Sequence, residues 1–524
     1  MNTNTLKLSA AAAAVAAVFA MPAKAAVIVG AGSSALNAGL YSAVITDDCT
    51  PGTVTFYDNS TSAPSKLANG SVYTVSCTPV ASGRFTSATL NVSYDTTGGS
   101  WKAFTATTPA FFATAQSVNS TDPLSYVKTI DPATATGCTQ INNFVGTLST
   151  GASVTVTYQW GCNTVVVDGA AYGSGTNTDT TTFGLTDTEA KLFANSSENQ
   201  PLQYQTWNTG PVPLLSPFTL GSEYNGFGSG ATGGIKVFGV VFGIAASGPL
   251  YGAMQNDQLL SGVLPASCGT GTSGSTAIVS TAAACAPIIS KSQYASIMAV
   301  TGGSALTNAA LLFKNPSAYS DLSYEWARRD KGSGSQAGAN AYFLNDGCST
   351  NATEGPDATN LPANDSQNGG SDALIISYSP STTDVTNRLQ GISPSLNGET
   401  YAFPSSEFVI GTVASTTGSK ITSTGAWGTS NSPWGFLSLE GAQPTVANVN
   451  AGTYSYATTE YLHCSPSASG DGAQLCKDLG GLTSGATSLI TFSTTGSSGI
   501  YPISSANGGV YANAGKTCSG LRHL

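Results

Sequence analysis

The chain has 524 residues, of which only 9% are charged, against about 25% in an average soluble protein. Hydrophobic residues make up 41%, enough for a sizeable core and too many for an extended disordered chain. The 18 Lys and Arg against 28 Asp and Glu exclude nucleic acid as a partner, and two His, His463 and His523, exclude a His-rich metal site.

The first residues read as a targeting segment. Lys7 is a short basic region, Leu8 to Phe19 an apolar run, and Ala23-Lys24-Ala25 a small-x-small cleavage pattern. We expect cleavage of residues 1–25 and secretion, to the periplasm or outside the cell. Losing Lys7 and Lys24 takes the formal charge from −10 to −12. Ten cysteines follow: Cys49, Cys77, Cys138, Cys162, Cys268, Cys285, Cys348, Cys464, Cys476 and Cys518. An even number in an oxidising compartment predicts disulfides. Sequence neighbours suggest 49–77, 138–162, 268–285 and 464–476, leaving 348–518, although sequence alone does not set connectivity.

In chain order, Val27-Ile28-Val29 predicts a short strand, Gly30 to Ser34 a glycine-rich turn, and Ala35–Val44 a helix. Residues 50–165 alternate Thr, Ser and Val and predict strands joined by polar turns. Residues 196–234 read as loop. Ile235–Ile244 predicts a buried strand and Pro249–Gln255 the start of a helix. Ser290–Met298, Ser304–Leu312 and Gly338–Phe343 predict short helices, residues 349–371 a surface loop, and Ala373–Tyr378 a strand. Strands alternating with short helices favour an α/β class over an all-β sandwich.

Three segments carry candidate chemistry. Gly30-Ala31-Gly32-Ser33-Ser34 lies at a strand-to-helix turn, where backbone can approach a ligand. Arg328-Arg329-Asp330-Lys331-Gly332-Ser333-Gly334-Ser335 concentrates three cations within four positions of a charge-poor chain, just before a helix. Its hydroxyls, N–H groups and Arg329 would suit an oxyanion; a solvated turn with Ser333 as an ordinary N-cap is the plainer reading. Thr182-Phe183-Gly184-Leu185-Thr186-Asp187, preceded by Tyr172-Gly173-Ser174-Gly175-Thr176, puts a carboxylate at a strand's C-terminal end. Helix capping is the alternative for that Asp. In an anion site, a carboxylate accepts a hydrogen bond from a protonated oxyanion such as hydrogen phosphate and repels sulfate.

These segments, in this order, resemble the phosphate-binding proteins of ABC transporters, the PstS-like family. Gly30–Ser34 matches the family's G-A-G-A-T/S, Gly173–Gly175 its G-S-G, and Phe183–Asp187 its F-G-x-S-D. Arg329, Ser333, Gly334 and Ser335 match its R-x-x-x-S-G-T, with Ser for Thr. The resemblance implies an α/β, two-lobe type 2 periplasmic-binding-protein fold. Lobe 1 would comprise 26–245 and 400–524, with 46–165 as a β-rich elaboration, and lobe 2 would comprise 246–399. It implies that Ser34, Ala35, Ser174, Asp187, Arg329, Ser333, Gly334 and Ser335 bind a small oxyanion, phosphate first, in an interlobe cleft. No cofactor, metal or catalysis is expected. The implied partner is an ABC transporter membrane component or a cell-surface acceptor. The family's motif has Asp two positions after its Arg; Lys331 stands there in this chain, so Arg329 lacks that brace. A structural or adhesive surface protein on the same fold is the rival reading, and a secreted hydrolase the third.

Overall fold

A computed structural model describes residues 27–97, 99–106, 127–167, 181–188, 192–193, 199, 235–298, 309–319, 324–329, 332–344, 374–379, 381–392, 395–396, 399–400, 408–428, 430–465, 468–481, 500–501, 511–512 and 522–523. Residues 1–25, Ser174, the loop calls at 196–234 (apart from Asn199) and 349–371, residues 304–308 of the helix call at 304–312, Cys348 and Cys518 lie outside the described residues. The chain is mixed α/β, built on one large mixed sheet.

The chain opens with β1 (Val27–Gly32), a short 3-10 turn and α1 (Asn37–Ala43). Next come β2 (Thr55–Asp58), β3 (Val72–Cys77), β4 (Leu90–Asp95) and α2 (Gly99–Ala106). The hairpin of β5 (Thr139–Thr147) and β6 (Ser153–Trp160) precedes β7 (Thr181–Thr186). A long strand, β8 (Ile235–Ser247), leads into α3 (Gly248–Leu260) and α4 (Lys291–Met298). Then follow β9 (Tyr324–Arg329), α5 (Gly334–Phe343), β10 (Leu374–Ser379) and α6 (Thr382–Leu389). The last part contains β11 (Phe408–Ala414), β12 (Trp434–Phe436), β13 (Ala457–Cys464) and α7 (Gly470–Leu479).

The sheet order is β10-β9-β11-β8-β13-β7-β1-β4-β3-β2-β6-β5. β1 runs parallel to β4 and β7, and β9 runs parallel to β10 and β11. Such strands are buried on both faces, which is why Val-Ile-Val in β1 reads as a continuous apolar run. β8 joins the two parallel groups. Residues Ile235–Val241 pair antiparallel with β13, and Phe242–Ala246 pair antiparallel with β11.

Two expectations change. The 50–165 segment contains a helix, α2, among its strands. Arg328 and Arg329, for which a solvated turn was the plainer reading, end the buried strand β9, in which Glu325 is paired with Arg388 of α6, whose Nε donates to Glu325 Oε1 at 2.6 Å. The late strands divide between the two halves of β8. β11 and β12 pair with the second half of β8, and the chain rejoins the β1 group only at β13.

All four neighbour disulfides form: Cys49–Cys77, Cys138–Cys162, Cys268–Cys285 and Cys464–Cys476. An aromatic ladder ties the β2–β6 elaboration to the centre of the sheet. Phe56 stacks on Tyr73 with ring centroids 5.3 Å apart, Tyr73 packs on Tyr94 at 5.9 Å, and Tyr94 stacks on Phe183 of β7 at 6.1 Å. Among the described residues no helix is long and apolar enough to cross a membrane.

Candidate anion site

The parallel strands β1, β4 and β7 and the oppositely directed β9 bring their C-terminal ends toward one place. β1 ends at Gly32, whose φ of +135° and contacts leave no room for a side chain: a Cβ would sit 2.1 Å from Leu185 O and 2.7 Å from Ala103 Cβ. The turn this permits brings Ser33 N to Leu185 O at 2.8 Å. Tyr94, the end of the aromatic ladder, donates its hydroxyl to Ser33 O at 2.9 Å. Ser33 Oγ in turn accepts from Ala35 N at 3.1 Å and hydrogen-bonds Asp187.

β4 ends at Asp95, a fully buried carboxylate that organises the next turn. It accepts from Thr97 N at 2.9 Å, Thr97 Oγ1 at 2.6 Å, Lys128 N at 2.8 Å and the buried Lys102 Nζ at 2.6 Å. This bracing fixes the start of α2, and with it Ser100. Ser100 Oγ donates to Asp187 Oδ1 and accepts from Asp187 N, both at 2.9 Å. Burial pushes the Asp187 carboxyl above the ordinary range, opposed by the hydrogen bonds from Ser33 and Ser100 and by the charge of Arg329.

β9 ends at Arg329, which is buried. Its Nη1 donates to Ser335 Oγ at 3.2 Å and Thr382 Oγ1 at 3.1 Å, and its Nε donates to Ser379 O at 3.2 Å. These contacts from β10 and the start of α6 supply a brace that the Arg motif, with Lys331 in place of Asp, does not. Ser333 is the N-cap of α5: its Oγ accepts from Gln336 N at 3.4 Å and lies 2.9 Å from Ser335 Oγ. The capping reading of Ser333 therefore holds, but in a buried setting.

The first turn of α5 meets the ends of β4 and β7 directly. A Cβ on Gly334 would lie 2.3 Å from Ser100 Oγ and 3.0 Å from Asp187 Cβ, so the α5 backbone is in contact with both. Trp101 N donates to Gly332 O at 3.0 Å, and Gly332 N donates to Asn199 O at 2.9 Å. Asp187, Arg329, Ser333, Gly334 and Ser335 are thus brought together as expected, and Ala35 lies beside them through Ser33. Ser34 is not in the cluster: it is exposed, and Ser33 is the serine turned inward.

Sequence reading passed over Ser100. Its signal is Thr96-Thr97-Gly98-Gly99-Ser100, a glycine-rich turn directly after a Leu-x-Val-x-Tyr strand. It also passed over Thr382, while His463, read as a structural residue beside Cys464, packs at the edge of the cluster. His463 Nε2 donates to Thr186 Oγ1 at 3.0 Å, since that hydroxyl donates to Thr188 O at 2.8 Å. Chemically, the cluster offers one guanidinium, several hydroxyls, a helix N-terminus and one buried carboxylate acceptor. Among the described residues no group of three or more His, Cys, Asp or Glu side chains could hold a metal ion. Compared with protein-family models, curated proteins and solved structures, the chain matches none.

Proposed function

We propose that the chain is a secreted solute-binding protein with a two-lobe type 2 periplasmic-binding fold, and that it captures a small oxyanion, phosphate first, without chemistry on it. The observation that carries this reading is the meeting of Asp187 and Arg329. They come from the ends of β7 and β9, in the two parallel strand groups joined by β8, and the first turn of α5 packs between them. Strand β8 passing out and β13 passing back would form the hinge, and ligand would close the cleft.

In this reading Arg329 supplies the charge, while Ser33, Ser100, Ser333, Ser335 and the first N–H groups of α5 supply donors. Asp187 accepts a hydrogen bond from the P–OH of hydrogen phosphate. Sulfate, with no proton to give, faces a buried carboxylate and is rejected. A membrane component of an ABC transporter or a cell-surface acceptor would receive the loaded protein.

Arg329→Ala tests the assignment. Truncating one side of a buried charged hydrogen-bond pair costs about 2–5 kcal/mol, so phosphate affinity should fall about thirtyfold or more in titration calorimetry. Unchanged affinity would remove Arg329 from the site.

A further inference from the structure

Glu460 of β13 is fully buried, and neither carboxyl oxygen has a hydrogen-bond partner. Leaving such a group unsatisfied is costly, so its position asks for a reason. β13 and β7 run antiparallel, and their last paired residues are Tyr461 and Thr186, which leaves Glu460 and Asp187 together just past the end of the ladder, close enough for the Asp187 charge to act on Glu460. Side chains alternate along a strand, so Glu460 shares its face with the residues two positions away on β13. Thr458 shares that face and lies beneath Gly338 of α5, where a Cβ would come within 2.7 Å of Thr458 Cγ2. Gly334, one turn earlier, abuts Asp187. Glu460 therefore lies under the first turn of α5, between the points that Gly334 and Gly338 touch.

We propose that Glu460 is a specificity-determining residue of the anion site, holding a proton beside the Asp187 carboxylate so that the pair offers the anion one donor and one acceptor. The proposal rests on the reading of this cluster as an oxyanion site. Among the described residues, no cation is directed to Glu460. From β7 it has Asp187; from β4 it has Tyr94, whose hydroxyl burial holds well above its ordinary value, with Tyr73 and Asp187 adding to the effect. From β13 it has Thr458, from β8 its register partner is Phe238, and the overlying turn of α5 contributes Gln336 and no ionisable side chain. Arg329 is directed to Ser335, Thr382, Ser379 and the Asp187 charge. Burial, with the Asp187 charge added, holds the Glu460 carboxyl well above the ordinary range. The favoured ligand is an oxyanion that carries a proton for Asp187 and accepts one from Glu460. When Glu460 ionises, two carboxylates face the anion and binding weakens.

Phosphate titration calorimetry on the full-length secreted protein and on Glu460→Gln, from mildly acidic to mildly alkaline pH, tests this. Gln keeps a donor and cannot ionise, and the ionisation of phosphate itself is common to both proteins. Expected is near-equal affinity at the acid end and an advantage of Glu460→Gln of about tenfold or more at the alkaline end, one pK unit of interaction being tenfold. A second readout is the infrared difference spectrum: the un-ionised-carboxyl component that Glu460→Gln removes, over the background of other buried acids such as Asp48, should shift when phosphate is added to the wild type. Parallel pH profiles, or an acid band indifferent to phosphate, would overturn the role of Glu460 while leaving the anion site standing. No phosphate binding by either protein at any pH would overturn the site and this proposal together.

Discussion

Burial acts with opposite sign on the two kinds of ionisable group around Thr186. It raises the carboxyls of Asp187 and Glu460, and it pushes the His463 imidazole down to about 4, because in each case the charged form is disfavoured. For His463 the folded value lies below the unfolded value of about 6.5. Its contribution to stability is therefore complete above about pH 6.5 and is lost as pH falls toward about 4. Denaturant unfolding across this range should show a decline that His463→Gln flattens. An identical decline in both proteins would mean that other groups govern acid stability. At this scale the sequence was half legible. Asp187 and Arg329 stood out because their motifs are local and charge is scarce. Ser33 and Ser34 were not separable, since only the turn set by Gly32 decides which serine faces inward. Glu460 carried no signal, because a lone Glu in a polar-looking strand is ordinarily a surface residue.

The element that completes the site is α5, and its approach depends on having no side chain at 334. Gly334→Ala would place a Cβ 2.3 Å from Ser100 Oγ and 3.0 Å from the Cβ atoms of Ser100 and Asp187. The clash falls between two strand groups and outside their cores, so α5 should be displaced rather than unfolded. We expect phosphate affinity to fall about tenfold or more for a displacement that strains these contacts by about 1.4 kcal/mol, with little change in thermal midpoint. Wild-type affinity in Gly334→Ala would show that α5 is free of this contact when ligand is bound. Elements were legible where apolar runs were continuous, as in β1 and β8. They were not legible where compensation came from far along the chain. Arg328 and Arg329 read as part of a solvated turn until β9, which they end, buries Glu325 against Arg388, 63 positions on, and Ser100 acquires meaning only against Asp187, 87 positions on.

For the whole molecule, the class of fold was legible and its strand order was not. Alternating strands and helices predicted α/β, and the four pairings suggested by sequence neighbourhood are present, although sequence alone did not set them. The place where the chain rejoins the β1 group depends on which half of β8 each late strand pairs with, and a run of β-branched residues does not say. The elaboration of β2, β3, β5 and β6 extends the sheet and, through Phe56, Tyr73 and Tyr94, buttresses Ser33 rather than standing apart. A formal net charge of −10 opposes long-range steering of an anion, so recognition has to come from the local donors.

The most direct test is calorimetric titration of phosphate, with sulfate as control, into protein stripped of bound anion by partial unfolding and refolding. Micromolar or tighter phosphate binding with no response to sulfate is the predicted result. Silence toward both anions would contradict it and return the chain to the reading of a surface protein built on this sheet.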